Sequence, residues 1–146
     1  MKNVENTTAQ NAELTANLEI IKGAYNAFAT GDIPALLGAM DSKIEWYEAE
    51  NFPYADGNPY KGADAIVRGV FARIGADWEY WTITDQVYHV SLEAMVIVTA
   101  RYNAKHKITG KVIRAQVNHM WTLKDGKITR FQQYADTLQV TQAMVS

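Results

Sequence analysis

The chain has 146 residues, 48% of them hydrophobic and 21% charged, a size and balance that fit one globular domain around one core. Its 14 basic and 16 acidic residues are mixed along the chain and leave a formal charge of −2, so no basic field exists to neutralise a phosphate backbone, and nucleic acid is not an expected partner. No cysteine occurs, which excludes disulfides, thiolate catalysis and thiolate metal sites and is compatible with a reducing compartment.

Residues 1–13 are polar and rich in Asn, Thr and Gln, without the basic and apolar regions of a secretory signal, so a flexible lead-in to a domain over 14–146 is expected. No apolar stretch approaches the roughly 20 residues of a membrane-spanning helix; a soluble, cytoplasmic protein with no membrane partner is expected. Leu14, Leu18, Ile21, Tyr25 and Phe28 recur at the spacing of one helix face, predicting an amphipathic helix that ends near Gly31. Asp32 is placed to cap a second, short helix with Pro34 in its first turn and Ile33, Leu36, Leu37 and Met40 on its buried side. Residues 43–48 alternate as a strand, and 51–62, carrying two prolines and two glycines, read as a long loop. Ala63, Ile66, Val67, Val70, Phe71 and Ile74 step by three and four, predicting a third helix with Gly75 as a left-handed cap.

From Trp78 onward the pattern turns β-rich, with strands expected over 78–88, 95–104, 112–123 and 127–134, joined by short turns such as Lys124-Asp125-Gly126. Four long neighbouring strands imply an antiparallel meander. Three helices followed by a strongly curved sheet define an α+β domain, with the helices on the concave face, a hollow between the layers and a short C-terminal helix from about Thr137.

Two segments carry a resemblance to a known family: 46–57, Trp-Tyr-Glu-Ala-Glu-Asn-Phe-Pro-Tyr-Ala-Asp-Gly, and 130–137, Arg-Phe-Gln-Gln-Tyr-Ala-Asp-Thr. Together with the Gly31-Asp32 junction and the Asp125-Gly126-Lys127-Ile128 turn, they resemble SnoaL-like proteins of the ketosteroid-isomerase-like branch of the nuclear transport factor 2-like superfamily, over roughly residues 14–144. The resemblance implies a cone-shaped fold with one buried pocket for a small hydrophobic ligand, no cofactor and a homodimer formed through the sheet. It transfers a pocket and not a reaction, since isomerases, cyclases, hydrolases, carriers and binding modules share the fold.

The pleat then selects candidates. If Ile44 and Trp46 face inward, Glu48 does too, and a carboxyl beside a tryptophan in a dry pocket has its pKa raised into the range of a proton shuttle; otherwise it is a solvated rim residue. Glu45 and Glu50 are read as surface. His119 shares the apolar face of Ala115, Val117, Trp121 and Leu123, either as a core histidine hydrogen-bonded to backbone or as a neutral base or donor. His89 and His106 read as strand-surface and turn residues, and three scattered histidines give no metal-ligand spacing. Arg101 and Asn103 share one strand face, and Tyr134 and Asp136 another; Arg101 meets Asp136 or Glu48 in the pocket or lies outside at a dimer contact, and Asp136 also suits the cap of the last helix. Glu48, His119, Asp136 and Arg101 are the catalytic candidates. Trp46, Tyr25, Asn103, Trp121, Tyr134 and Phe52 are the substrate-binding candidates.

Against ketosteroid isomerases, the tyrosine position falls at Ala24, the base position near Trp46 and the second aspartate near Asn118 or His119, so that machinery is not expected. Against limonene epoxide hydrolases, Arg101-Tyr102-Asn103 and Asp136 stand where an Arg-x-Asp pair and a further Asp are found, and Asn103 has no acidic proton to give. The leading expectation is cofactor-independent proton transfer on a small hydrophobic carbonyl compound, by an isomerase, polyketide-cyclase-like enzyme or lyase. The alternatives are a non-catalytic binding or interaction module and an epoxide-hydrolase-like enzyme. Trp78, Tyr80, Trp81 and Tyr88 are the aromatic surface expected to serve the dimer.

Overall fold

The computed structural model describes residues 2–146, with side chains from Thr8 onward. Helix α1 spans Lys2–Thr30 and α2 spans Ile33–Gly38, where Asp32 accepts a hydrogen bond from the Ala35 amide at 3.2 Å and caps the first turn as its position dictates. Residues 2–13, expected as a lead-in outside the domain, are instead the start of α1, and the side chains of 8–13 are exposed. Strand β1 is Met40–Tyr47, and the following loop contains a 3₁₀ turn, Ala55–Gly57, and a short strand β2, Tyr60–Lys61, that pairs antiparallel with β1.

The third helical segment is built of α3 (Ala63–Ile66), a π-turn (Val67–Phe71) and α4 (Ala72–Asp77). The helix continues through Gly75 to Asp77, so Gly75 is not its cap. Strands β3 (Trp78–Ser91), β4 (Met95–His106), β5 (Val112–Lys124) and β6 (Lys127–Ala135) form the antiparallel meander, and α5 covers Thr137–Ala143.

The sheet has six strands in the order β2-β1-β6-β5-β4-β3, and β1 runs parallel to β6, so it is mixed and not wholly antiparallel. This parallel pairing sets Trp46 opposite Phe131 and so brings the end of β1 beside β6 and β5. The curved, unclosed sheet wraps over α1, α2 and the third helical segment. Val96, Val98, Ala100, Tyr102 and Ala104 on β4, and Ile113 to Leu123 in alternation on β5, turn toward the helices and are buried. Tight contacts fix the lower edge: Tyr60 donates to the Tyr54 carbonyl at 2.6 Å and its ring fills the space over Gly57 and Gly69.

Candidate functional site

Between the concave face and the helices lies an apolar cavity of about 50 Å³. Tyr25 from α1, Trp46 and Glu48 from β1 and its end, Tyr102 from β4, His119 and Trp121 from β5, and Phe131 and Gln133 from β6 contribute the walls on the sheet side. Phe28, Phe71, Ile74 and Trp81 form the wall on the opposite side, and the same four residues border an open surface groove of about 490 Å³. They are therefore the partition between the cavity and solvent.

Glu48 is 2% exposed and looks into the cavity. Its backbone is clamped by Asn58, whose Oδ1 accepts from the Glu48 amide at 2.9 Å and whose Nδ2 donates to the Glu48 carbonyl at 2.8 Å. The next amide, Ala49, donates to Gln133 Oε1 at 3.1 Å. The carboxyl itself makes no hydrogen bond of normal geometry with any described residue. Burial pushes it up to about 8; the adjacent Trp46 indole N–H opposes that rise but, lying outside hydrogen-bond geometry, leaves Nε1 buried without a partner. A carboxyl in this state is protonated at neutral pH yet close enough to its midpoint to exchange a proton.

His119 is 3% exposed and held at both ring nitrogens: the Tyr25 hydroxyl lies 2.6 Å from Nδ1 and the Tyr102 hydroxyl 2.6 Å from Nε2. Trp121 Nε1 donates to the Tyr25 hydroxyl at 2.9 Å, and Gln133 Nε2 donates to the Tyr102 hydroxyl at 2.7 Å. Burial lowers the imidazole to about 3 and raises both tyrosines above the usual phenol range, so all three are neutral in the working pH range. Both ring nitrogens of His119 are thus engaged by tyrosine hydroxyls. Trp46 stacks on Phe131 with ring centroids 3.8 Å apart, and Trp121 and Phe71 stand nearly perpendicular to it, so an interlocked cluster of aromatic rings lines the cavity.

Of the residues singled out in the sequence, Tyr25, Trp46, Glu48, His119 and Trp121 line this cavity. The other five do not. Arg101, Tyr134 and Asp136 instead line an open depression on the outer face of the sheet, where Arg101 donates to the Arg114 carbonyl at 3.3 Å and Tyr134 is 54% exposed. Asp136 caps α5, accepting from the Gln139 amide at 3.2 Å. Asn103 also faces outward, donating to Thr84 Oγ1 at 2.5 Å, and Phe52 is buried in a separate cluster with Tyr54 and Trp78. The Arg101, Asn103 and Asp136 positions are thus on the far side of the sheet from Glu48, and an epoxide-hydrolase arrangement is not assembled in the cavity.

Two smaller expectations also change. His106 is not a turn residue but the buried end of β4, edge-on to Trp78 with centroids 5.1 Å apart. Among the aromatics expected at a dimer surface, Trp78 is buried, Trp81 lines the cavity and Tyr88 packs against Tyr25, which leaves Tyr80 exposed. Among the described residues no cluster of His, Asp and Glu is arranged to hold a metal ion, and no helix is long and apolar enough to cross a membrane.

Sequence reasoning missed Tyr102, Gln133 and Asn58. The signal for Tyr102 was present: Val96, Val98, Ala100, Tyr102 and Ala104 are the consistently apolar parity of β4, against Thr99, Arg101 and Asn103 on the other.

The model of the SnoaL-like domain family matches residues 21–131. None of the curated proteins matches this chain. Among solved structures, a nuclear transport factor 2-like protein from Burkholderia thailandensis is 36% identical, with 89% of this chain and 98% of that one covered and a TM-score of 0.83. TerC, co-crystallised with polyporic acid, is 23% identical over 90% of this chain and 99% of its own, with a TM-score of 0.80. A candidate polyketide cyclase from Xanthomonas campestris is 15% identical over 91% of this chain and 99% of its own, also with a TM-score of 0.80.

Proposed function

The chain belongs to the SnoaL-like domain family, and from that premise we propose that it is a cofactor-independent enzyme that moves a proton within a small hydrophobic carbonyl compound, with Glu48 as the proton carrier. The observation that carries this reading is a cavity-facing carboxyl with no hydrogen-bond partner, held by burial near pKa 8. At neutral pH the carboxylate is then the minor form. That form takes the proton from the carbon next to the carbonyl, leaving an enolate, and the resulting carboxylic acid returns the proton to the enolate at carbon or oxygen. The dry aromatic walls keep water from competing for it.

A cavity of about 50 Å³ is small against the roughly 300–1,000 Å³ of sites that enclose drug-sized ligands, so ligand entry requires the Phe28, Phe71, Ile74 and Trp81 partition to part toward the outer groove. Phe71 ends the π-turn, a backbone form that interrupts regular helical packing and recurs at functional sites. TerC, of the same fold and co-crystallised with polyporic acid, supports a small organic ligand.

The test is deuterium uptake at the methyl group of acetophenone and a panel of related ketones in D₂O, followed by proton NMR. Wild type is expected to exceed buffer catalysis, and Glu48→Gln to fall by about 100-fold or more. Ligand binding without uptake in any ketone would overturn the enzymatic reading in favour of a non-catalytic binding module.

A further inference from the structure

The numbers of donors and acceptors around His119 do not match, and the mismatch identifies a ligand-binding group. A neutral imidazole has one N–H and one bare nitrogen, yet each nitrogen faces a tyrosine hydroxyl at 2.6 Å. One tyrosine therefore donates to the ring and the other accepts from it. The accepting hydroxyl already receives a second proton, from Trp121 Nε1 if it is Tyr25 or from Gln133 Nε2 if it is Tyr102. Both of its lone pairs are then engaged, and its own proton has no acceptor in the network.

The surroundings decide which hydroxyl this is. Beyond His119 and Trp121, Tyr25 packs nearly at right angles to the Tyr88 ring, whose hydroxyl donates to Gln86 Oε1 at 2.7 Å. Gln133 ties Tyr102 to the end of β1, donating to the Tyr102 hydroxyl at 2.7 Å and accepting from the Ala49 amide at 3.1 Å, and the neighbouring Glu48 carboxyl there is a cavity-facing acceptor. A buried hydroxyl left without an acceptor is unfavourable, so the surplus proton belongs on the Glu48 side.

We infer that His119 carries its proton on Nε2 and accepts from Tyr25 at Nδ1, which leaves the Tyr102 hydroxyl as a donor to a carbonyl oxygen of the ligand, seated beside Glu48. Tyr102 is then the residue that selects an oxygen-bearing ligand over a hydrocarbon of the same shape, and His119 and Gln133 are positioning residues that aim it. The body of the ligand packs against the aromatic cluster of Trp46, Trp121 and Phe131, with Trp81, whose ring centroid is 4.7 Å from that of Tyr102, on the opposite wall. This deepens the proposed function and rests on its reading of the cavity as a ligand site, but it does not depend on Glu48 transferring a proton.

The matched probes are acetophenone and α-methylstyrene, which differ by exchange of the carbonyl oxygen for a methylene group. With the full chain and calorimetric titration, the ketone-to-hydrocarbon affinity ratio is expected to fall about ten-fold from wild type to Tyr102→Phe, the strength of one neutral hydrogen bond. Glu48→Gln is expected to retain the wild-type ratio, and a wild-type protein that shows the ratio but no proton exchange would sink the catalytic reading and leave this one standing. An unchanged ratio in Tyr102→Phe, or no binding of either probe to wild type, overturns the inference.

Because a variant in so buried a network could fail to fold, the wild-type tautomer is read independently from long-range nitrogen–proton couplings of the ¹⁵N-labelled histidine ring. A protonated Nε2 and bare Nδ1, unchanged from about pH 5 to about pH 8, is expected. A protonated Nδ1, or an imidazolium, overturns it.

Discussion

Burial sets two opposed ionisations inside one cavity, and their signature is the shape of the stability curve against pH. Glu48 rises from an ordinary value of 4.5 to about 8 in the folded chain, so between those values the folded state holds a proton that the unfolded state has lost, and stability falls as pH rises. His119 drops from 6.5 to about 3, so between those values the unfolded state holds the extra proton, and stability falls as pH is lowered. Where the windows overlap, from pH 4.5 to 6.5, the slopes cancel and a plateau results.

Outside the plateau each limb has a slope of about 1.4 kcal/mol per pH unit, or roughly 2 kcal/mol over one and a half units. For a chain of this length that is about 4–8 °C in Tm. Glu48→Gln removes the alkaline limb, so its Tm is expected to be flat between pH 6.5 and 8 while wild type falls, and to keep rising from pH 4.5 to 6.5 where wild type has its plateau. Thermal melts by circular dichroism at half-unit intervals make the comparison. Identical wild-type and Glu48→Gln slopes on the alkaline side would refute the argument that desolvation holds this carboxyl protonated.

Gly69→Ala would set a Cβ 2.0 Å from Tyr60 Cε1, in a ring anchored by its bond to the Tyr54 carbonyl; denaturant titration should show a loss of about 1–3 kcal/mol. Asp136→Ala removes the cap of α5 and should cost about 1 kcal/mol in the same assay, with ketone deuterium uptake unchanged because the residue lies on the outer face. Phe71→Ala thins the partition between groove and cavity; stopped-flow quenching of the cavity tryptophans by acetophenone should speed up several-fold, and an unaltered rate would place the entry route elsewhere.

The helices, the meander strands and the facing of Glu48 and His119 were legible because they rest on local periodicity: three-and-four spacing in α1, and strict alternation of Ile44, Trp46 and Glu48 along β1 and its end. The parallel pairing of β1 with β6 was not, since it joins segments more than 80 residues apart and leaves no local mark. Arg101 and Asn103 were drawn toward the pocket by their place in an apolar strand, when period-two alternation sets them opposite to Tyr102. Gln133 went unread for the same kind of reason. A glutamine between Phe131 and Ala135 signals nothing by itself, and it gains its role only when β5 brings His119 into register with it. Gly75 was read as a cap from residue type alone, whereas the helix runs on to Asp77 before β3 begins.

The central claim is that Glu48 sits in the cavity as a carboxylic acid poised near neutrality. Carbon-13 NMR titration of its side-chain carboxyl, assigned by the signal missing in Glu48→Gln, tests it without reference to any ligand. A midpoint near pH 8 is expected; a midpoint near the ordinary 4.5 would mean that the carboxyl meets water, and the proton-transfer account would fall with it.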